Sequence, residues 1–475
     1  MQPRLTKIIA TLGPAIAAKE KMKELVLAGV NVFRVNASHG SHDVLRQWIR
    51  VVREVEKDLG AYLGILLDLQ GPKIRVGKFE KGYIELHRGD RIVLTTESVM
   101  GKEGLVPVQY RKFHEEVKEG NHVFLDDGNI DVKVLKVTGR RVLVEVEVGG
   151  SLSNFKGLNM PDAVITAKPL SHKDRVDLVF GLKQGVDFVA LSFASSAKDI
   201  HQLRRLIVKA GGDAEIIAKI ERKQAIENLE EIVCASDGVM VARGDLGIEM
   251  RLSEVPIVQQ NILRLCAVHS KPVIVATQML ESMITNHRPT RAEVSDIAQA
   301  VMGCADAIML SAETAVGKHP KAAVEGMAET AKRMESYQRE HQRILPWSWF
   351  FNEDPPVNKG ITYSANRLVE LLNCKAILIY TLTGGTARQV ASPRPMVPVF
   401  SATSKLSRAR KLTLLRGAIP FLMDPKEDFS AKIGVILSRL KSNHLLKKGD
   451  RVVITSGVPV GIPQWTNVIR VEEVP

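Results

Sequence analysis

Aromatic residues make up only 5% of these 475 residues, too few for the stacking platforms of single-strand nucleic-acid binders. No groove-reading motif accompanies the net charge of +13, whose 66 cations are interleaved with 53 anions. The basic excess reads either as solvated surface or as a field that steers small polyanions, and no nucleic-acid partner is expected. Only four cysteines occur, Cys234, Cys266, Cys304 and Cys374. None pairs at metal or redox spacing, so they read as reduced core residues. No apolar run approaches the ~20 residues that cross a bilayer, and the N-terminus enters a strand pattern at once instead of a leader. No membrane partner and a cytoplasmic location are the expectations.

Against these absences stands 45% hydrophobic content, enough for several cores. Eight apolar or β-rich runs lie at 7–12, 31–38, 63–68, 188–192, 215–220, 238–241, 272–277 and 307–311. Amphipathic stretches such as 17–27, 42–57, 198–209, 255–269 and 291–302 separate most of them. Strands alternating with helices pair in parallel, and eight such units predict a (β/α)8 TIM barrel. Two interruptions divide the chain. Residues 72–168 change to alternating strands and close turns, which predicts a small β-barrel lid inserted after the third barrel strand. Near 345 the run Leu345-Pro346-Trp347-Ser348-Trp349-Phe350-Phe351 and then Pro355-Pro356 mark a linker. The predicted domains are thus a barrel over 1–71 and 169–345, the lid over 72–168, and a C-terminal α/β domain over 346–475.

In such a barrel, chemistry sits where the strands end. Arg34, Asn36 and Ser38 alternate with Val35 and Ala37, so one face of the second strand carries a cation and two oxygen-bearing groups. Arg34 offers a fork suited to phosphate or carboxylate, or pairs structurally with Asp68. Lys219 and Glu221 share a face of the fifth strand, and Asp245 follows the sixth in Val241-Ala242-Arg243-Gly244-Asp245. Glu221 and Asp245 form a hard-oxygen pair of the sort magnesium accepts. Lys219 and Arg243 could merely neutralise them, but burying four charges for stability alone is energetically poor. Gly244 lets backbone approach a ligand closely. Thr277 and Ser311, with Glu313, end the last two strands, where they bind, relay a proton or simply satisfy strand ends.

These residues together resemble pyruvate kinase. The resemblance runs through 6–14, 30–40, 66–75, 217–221, 239–249, 272–283, 288–296 and 308–315. Its most specific stretch is Ala276-Thr277-Gln278-Met279-Leu280-Glu281-Ser282-Met283 with Arg288-Pro289-Thr290-Arg291-Ala292-Glu293. It implies phosphoryl transfer from phosphoenolpyruvate to ADP, giving pyruvate and ATP, in a homotetramer. It also implies that Glu221 and Asp245 hold Mg2+, for which Mn2+ substitutes, while Lys219 and Arg34 neutralise the phosphoryl group. Gly244, Asp245 and Thr277 would hold the substrate carboxylate, and Asn36, Ser38, His39, Arg75 and Lys173 would face ADP and its metal. Thr277, Ser311 and Glu313 would relay the proton to the enolate, and Asp126 of the lid would either reach the nucleotide metal or simply form a turn.

Relatives that need potassium hold it near the positions of Asn36, Ser38, Asp68 and Leu69, and carry an acid where this chain has Lys73. Two like charges ~4 Å apart at an effective dielectric near 20 repel by about 4 kcal/mol. Lys73 is therefore expected to fill the monovalent-cation position, and K+ is predicted not to be required. In the C-terminal domain, Thr381-Leu382-Thr383-Gly384-Gly385-Thr386 sets hydroxyls and glycines between a strand and a helix. That arrangement is a phosphate cradle. By resemblance it takes a phosphorylated allosteric effector, covered by the segment that contains Trp465.

Overall fold

The computed structural model describes residues 3–341, 345–350, 355–424, 426–457 and 465–475. Phe351 of the predicted linker and the stretch 458–464 before Trp465 lie outside them. Eight parallel strands close into a barrel: Lys7–Thr11, Val32–Asn36, Gly64–Asp68, Phe188–Leu191, Glu215–Ile220, Gly238–Ala242, Val273–Ala276 and Ala307–Leu310. Each pairs with its neighbours in sequence, and Lys7–Thr11 pairs with Ala307–Leu310 to complete the ring. The strands are buried on both faces because helices cover the outside and side chains fill the inside, so they appear as continuous apolar runs. Ile9, Val32, Leu66, Phe188, Ile217, Met240, Ile274 and Met309 fill the interior, and Leu414 of the C-terminal domain plugs its lower end.

Helix boundaries follow local chemistry. Thr290 and Glu293 form a capping box that starts the helix Arg291–Met302, and Ser171 with Asp174 does the same for His172–Lys183. Both helices are thereby fixed directly beside strand ends that bear polar residues.

After the third barrel strand the chain leaves through Gly71, at φ +68°, and Pro72 into the lid. The lid holds a six-stranded sheet and a two-stranded one around its own core, centred on Leu94, Val123, Val132 and Val144. Asn159 Nδ2 donates to Glu249 Oε1 at 3.0 Å and ties the lid to the barrel rim. A cleft of about 710 Å3 opens between them, lined by Asp127 and Asn129 of the lid and by Gly244, Ile248 and Gln278 of the barrel. The C-terminal sheet runs Ala418–Leu422, Val399–Thr403, Ala376–Tyr380, Arg451–Ser456 and Val468–Glu473, the last strand antiparallel.

Among the described residues no helix is long and apolar enough to cross a membrane.

Candidate active site

Residues 215, 217, 219 and 221 share one strand face by the period of two, and Ile217 lies in the barrel interior. Lys219 therefore stands one layer above Ile217, at the mouth. Its ammonium lies 2.7 Å from Glu221 Oε1 and 3.4 Å from Asp68 Oδ1, and donates to Ser192 Oγ at 2.8 Å. Burial opposes that charge, yet Asp68, Glu221 and Asp245 outweigh it and hold Lys219 above the usual lysine range. A lysine so held stays protonated and is no Schiff-base nucleophile.

Arg34, expected either to bind ligand or to pair with Asp68, does pair: Nη2 and Nε lie 2.7 and 2.8 Å from Asp68 Oδ2. Its Nη1 also reaches Thr11 Oγ1 at 3.2 Å. Burial opposes the charge on Asp68, but Lys219 and Arg34 keep its carboxyl below the usual range. Glu221 moves the other way. Burial raises it, Asp245 adds to the rise, and Lys219 only partly offsets both. The rim thus gathers three carboxylates against two cations.

Asp245 is half-buried and has neither an ion-pair nor a hydrogen-bond partner among the described residues. A carboxylate in that position, electrostatically coupled to a second whose protonation burial favours, is a donor set short of positive charge. Such a pair fits a divalent cation completed by substrate oxygens and water.

The seventh strand ends in an unusual turn. Thr277 has φ +69° and Gln278 φ +52°, a left-handed pair without glycine. The Thr277 hydroxyl accepts the Gly244 N–H at 2.8 Å and donates to Ala276 O at 2.6 Å. Thr277, Gly244 and Asp245 are therefore brought together as expected. Ser311 and Glu313 adjoin each other: Glu313 Oε2 accepts from Ser311 N–H at 2.6 Å, and Oε1 from Leu280 N–H at 3.2 Å. Burial raises the Glu313 carboxyl, so it carries a proton more readily than an exposed glutamate.

Across the mouth, Asn36 Oδ1 accepts Ser38 N–H at 3.0 Å, and Lys173 Nζ reaches Ala37 O and Asp177 Oδ2, both at 2.6 Å. His39 follows in the same turn, its N–H on Asn36 O at 3.3 Å. Arg75 Nη1 donates to Phe155 O at 2.8 Å within the lid. Asp126 at the lid turn is held by Lys156 at 2.6 Å in this conformation.

Arg243 and Lys73 lie away from the rim carboxylates. Arg243 does not neutralise Glu221 or Asp245. Ala242 ends the strand and Arg243 begins the helix Arg243–Glu249, so the side-chain period changes and the guanidinium turns away. It pairs with Asp296 at 3.0 Å and donates to Thr277 O at 2.7 Å and Gln278 O at 3.2 Å, gripping the strained turn. In this conformation Lys73 stands outside the pocket of Asn36, Ser38, Asp68 and Leu69. The Gly71-Pro72 turn carries it toward the lid, and its ammonium lies 3.4 Å from Asp127 Oδ1. Asp68 already has Arg34 and Lys219.

Sequence reasoning passed over Ser192 and Phe193. Ser192 Oγ receives Lys219 and donates to Leu69 O at 2.7 Å, while Phe193 N–H donates to Glu221 Oε2 at 2.7 Å. Their signal was position alone, at the end of the fourth run.

At the barrel's opposite end, Glu215 opens the same fifth strand. Its Oε1 accepts Arg388 Nη2 and Arg408 Nη1, both at 2.5 Å, from the C-terminal domain. In the cradle, Gly384 N–H donates to Thr381 Oγ1 at 3.0 Å, with Gly384 at φ +88°. Thr386 and Thr466 share a hydroxyl contact at 2.9 Å. Thr383 lies in the same loop, and Gly385 begins the helix Gly385–Ala391 that follows it.

Comparison with known proteins gives the same picture. The family model "Pyruvate kinase, barrel domain" matches residues 3–324, and "Pyruvate kinase, alpha/beta domain" matches residues 359–472. Pyruvate kinase 2 of Synechocystis is 41% identical over 99% of this chain and 80% of its own length. Pyruvate kinase of Thermotoga maritima is 40% identical over 99% of this chain and 100% of its own. A crystal structure of a pyruvate kinase from Cryptosporidium parvum superposes with a TM-score of 0.92 at 33% identity, covering 99% of this chain and 96% of that one. From the rim carboxylates to the C-terminal sheet, the chain belongs to the pyruvate kinase family.

Proposed function

We propose that this phosphotransferase moves the phosphoryl group of phosphoenolpyruvate to ADP at the barrel rim, with Glu221 and Asp245 holding Mg2+, or Mn2+ in its place. One observation carries the metal assignment: Asp245 is half-buried without a partner among the described residues, and Glu221 is buried. When bound, the divalent ion supplies Lewis-acid stabilisation of substrate oxygens. The chain's own residues do the rest. Lys219 and Arg34 set two fixed positive charges toward the phosphoryl group, which spreads negative charge over its oxygens as it transfers. Gly244 N–H, now on the Thr277 hydroxyl, turns to the substrate carboxylate with that hydroxyl beside it. Asn36, Ser38, His39, Arg75 and Lys173 face the nucleotide. Once phosphate has left, the enolate carbon takes a proton through Thr277, with Ser311 and Glu313 behind it. The raised Glu313 carboxyl suits it to hold that proton.

Lys73 replaces potassium in the closed form. Its contact with Asp127 is exposed, 31% and 58% at the two side chains, and such pairs are worth about 0–1 kcal/mol, so lid closure releases the ammonium at small cost. A phosphorylated effector occupies the loop of Thr381, Thr383, Gly384, Gly385 and Thr386. Arg408 is the adjacent cation, for a Cβ placed on Gly384 would meet its Nη1 at 3.1 Å. The assembly is a homotetramer, which sedimentation tests.

The direct assay couples pyruvate formation to lactate dehydrogenase, with phosphoenolpyruvate, ADP and magnesium. Full turnover without potassium is expected. No pyruvate under any metal condition would overturn the reaction, and turnover that magnesium chelation leaves intact would overturn the metal assignment.

A further inference from the structure

Far from the rim, the helix Leu229–Ala235 places Glu230 and Cys234 one turn apart, on one face. His269, at the end of the helix Val255–Val268, inserts beside them. Its Nδ1 lies 3.4 Å from Cys234 Sγ, and its Nε2 lies 3.1 Å from Glu230 Oε1. A nucleophile, a base within reach and a carboxylate that orients the base are thus strung together in hydrogen-bond order. The surrounding backbone is clamped. Lys271 Nζ donates to Cys234 O at 3.1 Å and Ser236 O at 2.5 Å, and Arg204 Nη2 donates to Ala235 O at 2.8 Å.

The other cysteines offer no competing site. Cys266, Cys304 and Cys374 are buried as expected of core residues, whereas Cys234, expected in the core as well, is exposed. Burial also pushes the Cys266 and Cys374 thiols up, away from the thiolate form that reacts.

We propose that Cys234 is a modification site, whose thiol gives its proton to His269 and exchanges with low-molecular-weight disulfides. The sulfur of Cys234 attacks one sulfur of the small disulfide. A mixed disulfide forms as the original S–S bond breaks, and the proton held by His269 passes to the departing thiolate. One protein thiol and one small disulfide therefore give one mixed disulfide and one small thiol, the disulfide serving as the oxidant. The adduct stands where this helix turns into the sixth barrel strand, whose far end leads to Gly244 and Asp245.

The test uses the full-length enzyme and 5,5′-dithiobis(2-nitrobenzoate), with thionitrobenzoate release followed at pH 7. One equivalent should appear quickly, and Cys234→Ser should abolish it, while the unfolded chain should release four. The rate should exceed that of free glutathione by about tenfold or more, a floor set below the ~10²–10⁴-fold that a positioned base typically contributes. His269→Ala should bring it down to the glutathione rate, and Glu230→Gln, which keeps the fold in hand if the first variant is unstable, should slow it severalfold. Phosphoenolpyruvate turnover serves as the folding control for both. Equal rates in wild type, His269→Ala and Glu230→Gln, or a wild-type rate no faster than glutathione, would overturn the proposal.

Discussion

Replacing Lys219 with methionine separates charge from volume, because the two side chains are of similar size and little cavity is left. The ammonium that disappears lay 2.7 Å from Glu221 and 3.4 Å from Asp68, both carboxylates 2% exposed. Asp68 keeps two contacts from Arg34, but among the described residues Glu221 keeps only the Phe193 N–H. One buried carboxylate is thus stranded, and breaking a buried pair costs about 3–5 kcal/mol. Lys219 has its folded pKa raised, so its stabilisation is complete below the unfolded lysine value of about 10.4 and fades as pH rises beyond it. The variant loses that contribution across the neutral range. Its deficit should shrink in acid, where Glu221, already raised by burial, takes up a proton. Urea denaturation at pH 7 and pH 5 measures both effects. In the coupled assay kcat should fall about 10²–10³-fold, the loss expected for one transition-state electrostatic contact. A variant as stable as wild type at pH 7 would refute the stranded-carboxylate reasoning, and one with kcat within threefold would refute the role assigned to the ammonium.

Lys73→Glu should make turnover depend on added potassium, and an unchanged potassium titration would count against the cation-replacement reading. Thr277→Ser should retain most activity and Thr277→Ala should lose about 10²-fold, since only serine keeps the hydroxyl that meets Gly244 N–H. Lys7 is fully buried, and burial pushes it down to about 7 while its Nζ donates to Ala418 O. Because its folded pKa lies below the unfolded one, the charged form penalises folding and stability should rise with pH between about 7 and 10. Lys7→Met should flatten that slope and raise stability at pH 7 by about 1 kcal/mol, since Glu335 keeps the N–H groups of Leu5 and Thr6. A lower denaturation midpoint would contradict this. Arg243→Met should loosen the turn it grips and raise the KM for phosphoenolpyruvate more than it lowers folding stability.

How far the sequence spoke depended on whether a residue's role followed from strand period. Arg34, Lys219 and Glu221 were legible because alternation aims them inward wherever the strand runs parallel and buried. Arg243 was not, since the chain passes from strand to helix at Ala242 and a side chain just past that boundary points by a different rule. Where Lys73 rests in this conformation was not legible for a related reason: Gly71, in a left-handed conformation, redirects the chain before the lysine is reached. Ser192 and Phe193 carry neither charge nor motif, and their part is played by a hydroxyl and a backbone N–H that strand-end geometry alone supplies.

Thr277 and Gln278 sit back to back in a conformation that side-chain-bearing residues avoid at a cost of about 1–2 kcal/mol apiece. Within the local peptide the Thr277 hydroxyl bonds to Ala276 O; beyond it, the Arg243 guanidinium, anchored on Asp296, and the barrel strand hold the pair. The motif is therefore not portable. Transplanted into another scaffold without its clasp, the same letters would relax, and the hydroxyl would swing off target.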